Sequence, residues 1–187
     1  MKTTGIIAAL GLAAAAIAMP AAAQDAYIGF AIGQSKFPLD DCANPCDDKG
    51  RAYKLFGGYQ FNRFVAAEFG YTDMGKGTAG PAEFKANAWE ISALGTWGVP
   101  LGARGIGLSV LGRLGVYNGE VKGTIPSLGV EAKHGTTDLT FGLGVQADLS
   151  RIIAVRGEWQ RFSKMGGGSL GDKSDVDLLT VSGLFRF

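Results

Sequence analysis

Apolar and polar side chains alternate along most of this chain, so that every second residue shares a face. The segment VDLLTVSGLFRF at positions 176–187 shows the pattern most clearly. Its apolar face consists of Leu179, Val181, Gly183, Phe185 and Phe187. Its other face is mixed and includes Ser182 and Arg186. Because successive side chains of a β-strand point to opposite faces, the segment predicts a strand between an apolar and a polar environment.

The alternation recurs often enough to predict eight strands. They cover 26–37, two strands within 53–75, 88–99, 106–117, 137–149, 152–162 and 176–187. Short turns are expected at 62–63, 100–104 and 150–151, and long polar loops at 37–50, 75–85, 118–135 and 163–175. Short turns alternating with long loops are typical of outer membrane barrels. The sequence therefore predicts an all-β, eight-stranded antiparallel up-and-down transmembrane β-barrel.

Charged residues within the predicted strands lie opposite the continuous apolar faces. They are Glu68, Glu90, Arg113, Arg156, Glu158 and Arg186. A soluble lipocalin-like barrel would show the inverse, with an apolar interior and a polar exterior. In a narrow lumen an unpaired charge costs several kcal/mol, so we expect the three glutamates to pair with the three arginines. Such a network could be a static plug, or its fluctuations could open a small pore.

Aromatic residues gather toward the two ends of the predicted strands, as expected for rings at membrane interfaces. The periplasmic group contains Tyr59, Phe61, Phe64, Trp97, Phe185 and Phe187, and the outer group Phe69, Tyr71, Trp89 and Trp159. Phe185 and Phe187 end the closing strand and are predicted to act as the signal for the barrel assembly machinery.

The amino-terminal segment has the features of an export signal. MKTT is followed by an apolar run over 5–18 and by the small-residue site MPAAA. The run is too short to cross a bilayer comfortably as a helix. We therefore predict a signal peptide at 1–23, cleaved between Ala23 and Gln24, and a barrel domain over 24–187.

Composition narrows the choice of function. The chain has 30 glycines among 187 residues, and 18 basic against 17 acidic residues, a balance that argues against nucleic-acid binding. Cys42 and Cys46 are expected to form a disulfide in an exported protein. The neighbouring acids Asp40, Asp41, Asp47 and Asp48 have no recognised metal-site spacing, so we predict neither metal nor cofactor.

Three segments resemble the transmembrane domain of the outer membrane protein A family: GGYQFNRFVAAEFGY, ADLSRIIAVRGEWQRF and LLTVSGLFRF. The resemblance implies an eight-stranded barrel among outer membrane lipids and lipopolysaccharide, without that family's periplasmic peptidoglycan-binding domain. It also implies that Glu68, Arg113 and Arg156 belong to a lumen ion-pair network that blocks or gates a narrow pore. Leu94 stands where a lumen lysine is expected, and Gln146 where an acid is expected.

These observations favour a non-enzymatic outer membrane protein with a role in envelope integrity, compatible with a narrow, low-conductance pore. An adhesin or immune-evasion protein that acts through its long outer loops is the alternative. A lipid A-modifying enzyme is less favoured, because His134 with Ser127 is the sole candidate pair.

Overall fold

The computed structural model describes residues 26–36, 46–47, 49–79, 82–99, 107–125, 130–165 and 174–187. Its strands are β1 (Ala26–Lys36), β2 (Cys46–Asp47), β3 (Lys49–Asn62), β4 (Val65–Ala79), β5 (Ala82–Val99), β6 (Gly107–Ile125), β7 (Val130–Asp148), β8 (Ile153–Met165) and β9 (Ser174–Arg186). The eight long strands pair with their neighbours in antiparallel order, and β1 pairs with both β3 and β9. This closure confirms the predicted eight-stranded barrel.

The short strand β2 lies outside that ring of eight and pairs with the outer end of β4. Within the described ranges, no helix is long and apolar enough to cross a membrane.

Side chains alternate between the outer wall and the interior as the sequence predicted. On β1, Ile28, Phe30 and Ile32 are about half exposed on the outer wall, whereas Ala31 is buried inside. Gly29 also points inward, where a Cβ atom would lie 2.2 Å from the ring of Phe56. Because the interior of an eight-stranded barrel is barely wide enough for its own side chains, a small residue on one strand makes room for a large one on the next.

The turns at the short-loop end of the barrel are held by polar side chains. Between β3 and β4, Oδ1 of Asn62 accepts hydrogen bonds from the backbone N–H groups of Phe64 at 2.8 Å and Val65 at 3.0 Å. Between β7 and β8, Oγ of Ser150 accepts from the N–H of Ile153 at 3.0 Å. Asn and Ser favour such turns because their side chains can replace backbone acceptors. The predicted turn at 100–104 lies outside the described residues.

Two of the predicted loops are instead largely paired strand. β4 and β5 remain paired from Lys76 opposite Lys85 to Ala79 opposite Ala82, and β6 and β7 from Gly119 opposite Thr136 to Ile125 opposite Val130. The loop predictions at 75–85 and 118–135 were therefore wrong. Beyond the bilayer both faces of a ribbon meet water, so backbone pairing continues without the apolar alternation that marks the membrane-spanning part.

Candidate functional site in the barrel lumen

A cluster of charged side chains fills the middle of the lumen. We call it the charge cluster; its members are Lys54, Glu68, Glu90, Arg113, Arg156 and Glu158. Each residue occupies an inward position of its strand and is at most 5% exposed. The three cations and three anions give the cluster no net charge. Five of the six charged residues predicted for the lumen belong to it, and Arg186 does not.

Arg113 on β6 lies at the centre of the charge cluster and contacts three carboxylates. Its Nη1 donates to Glu90 at 3.1 Å, and its Nη2 donates to Oε2 of Glu158 at 3.1 Å. Further short contacts join its Nε to Glu158 and its Nη2 to Glu68. A planar guanidinium has five N–H donors in a fixed arrangement, so a single residue can hold carboxylates from three strands.

Arg156 on β8 extends the network toward the short-turn end. Its Nη1 donates to Oε1 of Glu68 at 2.6 Å, and its Nε and Nη2 both donate to the side-chain oxygen of Gln146, at 3.1 and 3.0 Å. The hydroxyl of Tyr27 donates to the same Glu68 oxygen at 2.7 Å. The guanidinium also lies 5.4 Å from the ring centre of Phe56, a cation–π contact. Gln146, an amide where the family resemblance predicted an acid, is thus an acceptor for arginine.

Lys54 on β3 completes the charge cluster and was not predicted from the sequence. Its Nζ lies 2.6 Å from Oε1 of Glu90 and donates to the side chain of Gln160 at 2.7 Å. Gln160 in turn donates to Oε2 of Glu90 at 2.6 Å. The alternation of β3 nevertheless identifies Lys54 as an inward residue, because its neighbours Tyr53 and Leu55 point outward. A lumen lysine is therefore present on β3, although Leu94 stands at the position where the resemblance suggested one.

Arg186 forms a separate pair near the periplasmic mouth of the lumen. Its Nη2 lies 2.8 Å from Oδ1 of Asp148, which also accepts from Gln146 at 3.0 Å. Its predicted pairing with a lumen glutamate is therefore corrected to a pairing with Asp148. Arg186 is the last residue of β9, and Gln146 separates it from Arg156.

An apolar layer closes the lumen on the outer side of the charge cluster. We call it the apolar layer; its large, fully buried members are Met74, Tyr117, Phe162 and Leu178. The rings of Tyr117 and Phe162 meet edge to face, with centres 5.1 Å apart. On the opposite side of the cluster, a cavity of about 1040 Å³ opens between the periplasmic ends of the strands. From the periplasm outward, the lumen is therefore open, then ionic, then apolar.

Other predicted site residues lie wholly or partly outside the described residues. Ala23, Gln24, Cys42 and Ser127 fall there, and only the backbone of Cys46 and His134 is described. The backbone of His134 pairs with Val121 in the β6–β7 ribbon. The rings of Phe185 and Phe187 are exposed at the end of β9 with centres 5.3 Å apart. Their role as an assembly signal stays a prediction.

A closed eight-stranded barrel with an apolar outer wall and an ionic lumen defines an integral outer membrane protein. The chain belongs to the outer membrane protein beta-barrel domain family, which it matches over residues 6–187. This membership places it in the cell outer membrane and confirms the predicted resemblance to the outer membrane protein A barrel.

Known relatives and structures agree with this assignment. Outer membrane protein A of Salmonella typhi is 30% identical over 201 residues, covering 100% of this chain and 56% of that protein. The chain spans about half the length of the curated relatives it matches. Neisserial surface protein A has the same fold, with a TM-score of 0.61, 15% identity and coverage of 87% of this chain and 96% of that one. Ail, the attachment invasion locus protein of Yersinia pestis, follows with a TM-score of 0.57, 18% identity and coverage of 87% and 97%.

Proposed function

We propose that this protein is a structural barrel that contributes to the integrity of the outer membrane and keeps its lumen closed to ions. The observation that carries the proposal is the succession of the charge cluster and the apolar layer inside one narrow barrel. Each presents a different barrier to an ion. In this proposal the surrounding partners are outer membrane lipids and lipopolysaccharide, and the barrel assembly machinery inserts the chain.

The charge cluster resists opening because its pairs are buried and mutually supporting. Arg113 contacts the carboxylates of Glu68, Glu90 and Glu158, so its movement leaves all three carboxylates with fewer partners. Breaking a buried ion pair costs about 3–5 kcal/mol. Since every 1.4 kcal/mol is a factor of ten, a state with one broken pair is populated in roughly one molecule in 140 to one in 4,000.

The apolar layer adds a second barrier of a different kind. A hydrophobic constriction excludes water, and an ion cannot pass without its hydration shell or substitute ligands. Tyr117 and Phe162 are nearly inaccessible, and the hydroxyl of Tyr117 is held by the carbonyl of Ser163 at 2.6 Å. The two barriers lie in series, so opening either alone leaves the lumen blocked. In this proposal, the passage of ions through the narrow lumen is a rare event.

Two measurements test the proposal together. Refolded protein, checked by heat-dependent gel mobility, is expected to give almost no channel events in planar bilayers. Loss of the protein from its host is expected to increase sensitivity to detergent, and the wild-type chain is expected to restore resistance. Frequent, long-lived conductance by correctly folded protein would contradict the closed lumen. Unchanged detergent resistance in cells without the protein would contradict the envelope role.

A second candidate is a surface-binding role for the outer ribbon of β6 and β7. Both strands have 19 residues, whereas a tilted membrane-spanning strand needs only about 9–11. The ribbon therefore projects well beyond the bilayer. Ail of Yersinia pestis, which shares this fold, has been crystallised in complex with the heparin analogue sucrose octasulfate. That complex motivates sulfated polysaccharides as a first ligand class to test.

Shortening the ribbon separates the two roles. Residues 120–135 are removed and Gly119 is joined to Thr136, its cross-strand partner, through a two-residue Asn-Gly turn. The structural role predicts normal folding and detergent resistance in this variant. The surface role predicts loss of binding to immobilised heparin, while a variant with a ribbon of equal length and shuffled sequence reports whether length alone suffices.

The proposal assigns no catalytic step to the barrel. His134 and Ser127 remain the candidate pair for the less favoured lipid A-modifying activity. We expect the lipid A mass spectrum of host cells to be the same with and without expression of the protein. A new lipid A species that disappears in the His134→Ala variant would overturn this part of the proposal.

A further inference from the structure

The lipid-facing wall carries a trough where two strands lack side chains at the same level. Gly95 on β5 and Gly112 on β6 are direct cross-strand partners, and both point outward. Val65 on β4 and Leu143 on β7 flank this pair on either side. A Cβ atom added to Gly95 would meet no atom within 4 Å, and one added to Gly112 would come no closer than 3.9 Å to Leu143. The paired glycines thus form the floor of a depression between tall apolar neighbours.

The trough extends along the strands and also around the barrel, since its lining reaches from β4 to β8. Two adjoining depressions share Gly95, Gly112 and Leu143. One, of about 810 Å³, continues past Trp97 and Val110 toward the periplasmic turns. The other, of about 600 Å³, continues past Leu114 toward the middle of the wall. From Val110 to Leu114 the strand advances about 13 Å, close to the roughly 15 Å that one leaflet contributes to the hydrocarbon core.

A positive charge lies at the periplasmic end of the trough. Phe64 lines that end, and its ring centre is 5.8 Å from that of Trp97. The guanidinium of Arg63 lies over the same Phe64 ring, 4.6 Å from its centre. Aromatic rings and arginine at this depth occupy the level of lipid headgroups. An apolar trough thus leads directly to a cation at the membrane surface.

We infer that this trough is a binding site for one phospholipid of the inner leaflet, with an acyl chain along Gly95 and Gly112 and an anionic headgroup phosphate at Arg63. Water does not enter an apolar trough in the hydrocarbon region, and a void would forfeit dispersion contacts with its lining. An acyl chain of the inner leaflet can lie along the part of the trough that follows β6 from Val110 to Leu114. The phosphate accepts hydrogen bonds from guanidinium in the geometry that arginine favours. The acyl-chain part of the site is separate from the lumen and from the outer ribbon, whereas Arg63 also lines the cavity at the periplasmic mouth.

Native mass spectrometry of protein released from nanodiscs of phosphatidylcholine and phosphatidylglycerol tests this inference. The wild-type barrel is expected to retain one phosphatidylglycerol preferentially. The variant Gly95→Leu/Gly112→Leu fills the trough and is expected to lose the retained lipid. The matched control is Gly183→Leu on β9, because Gly183 is also outward and a Cβ there meets no atom within 4 Å. This control is expected to keep the lipid.

Arg63→Gln tests the headgroup separately from the chain. We expect this variant to retain lipid. Its preference for phosphatidylglycerol over phosphatidylcholine should fall about two- to fivefold, because an exposed ion pair contributes little to binding. Equal lipid retention by the trough-filled variant and the Gly183→Leu control would overturn the inference. Cross-linked dimers that vanish on filling the trough, with lipid retention unchanged, would also overturn it and assign the trough to a second copy of the chain. If the double variant does not show the heat-dependent gel shift of a folded barrel, Gly112→Leu alone provides the same comparison.

Discussion

Nζ of Lys54 lies 2.6 Å from Oε1 of Glu90, and both side chains are at most 3% exposed. The pair joins β3 to β5 on the inner side of β4, which lies between those two strands in the sheet. Glu90 also contacts Arg113, so Glu90 links Lys54 on β3 to the central arginine on β6. This bridge is the part of the charge cluster that sequence reasoning missed, and it provides the first test.

Lys54→Met removes one charge from the cluster while keeping the length of the side chain. We expect the free energy of unfolding in lipid vesicles to fall by about 3–5 kcal/mol, because Glu90 keeps a buried charge with one cation fewer. Urea titration followed by tryptophan fluorescence measures the change. Lys85→Met is the control, since its contact with Asp73 at 3.2 Å is largely exposed and should contribute less than about 1 kcal/mol. Equal effects of the two substitutions would contradict the importance of the buried bridge.

Arg113→Met is expected to make the lumen negative, while the intact apolar layer keeps its openings rare. The substitution leaves two cations against three carboxylates, so any openings should favour cations. Arg113→Lys keeps the charge but loses the fork of donors that reaches three glutamates, and should give an intermediate effect. Reversal potentials under a salt gradient measure the selectivity. Anion-selective openings in Arg113→Met would contradict the assigned charge balance.

Phe162→Ala weakens the apolar layer without touching the charge cluster. Because the two barriers lie in series, we expect this variant alone to conduct little more than the wild type. The double variant Phe162→Ala/Arg113→Met should conduct more than the two single effects combined. Simple additivity in planar-bilayer recordings would show that one barrier, not two, controls the lumen.

Gly29→Ala is expected to destabilise the barrel through overpacking. A Cβ at Gly29 would lie 2.2 Å from the ring of Phe56, a clash that side-chain movement must relieve at about 1–3 kcal/mol. The double variant Gly29→Ala/Phe56→Leu should recover much of the loss, because the smaller side chain vacates that space. Gly183→Ala, on the open outer wall, should change the free energy of unfolding little. Failure of the Phe56 substitution to compensate would point to a backbone effect instead.

The strands and their inward and outward faces could be predicted because lipid and lumen impose opposite demands on alternate residues. Ile91 is 60% exposed on the wall, and its neighbour Glu90 is buried. The ribbon of β6 and β7 could not be predicted in the same way, since water on both faces removes the alternation while leaving the backbone pairs. The alternation of apolar and polar residues therefore marks the part of a strand that crosses the membrane, and not the full length of the strand.

The composition of the charge cluster was harder to predict than its existence. Alternation tells which side chains face the lumen, but the stagger between neighbouring strands determines the depth at which each one lies. Arg186 has inward parity and yet lies at the level of Asp148, one step from the cluster through Gln146. Lys54 has the same parity and lies within it. Depth along the barrel axis was the missing quantity for Arg186, whereas the alternation of β3 already marks Lys54 as inward.

The length of β6 and β7 has a consequence for how this molecule meets its surroundings. At about 3.4 Å per residue, 19 residues extend roughly 65 Å along the strand, about twice the 30 Å thickness of a bilayer core. The outer part of the ribbon, up to the pair of Ile125 and Val130, therefore extends beyond the hydrocarbon core toward the lipopolysaccharide. Among the described residues β6 and β7 form the longest strands, so antibodies and phages approaching from outside the cell would encounter this ribbon.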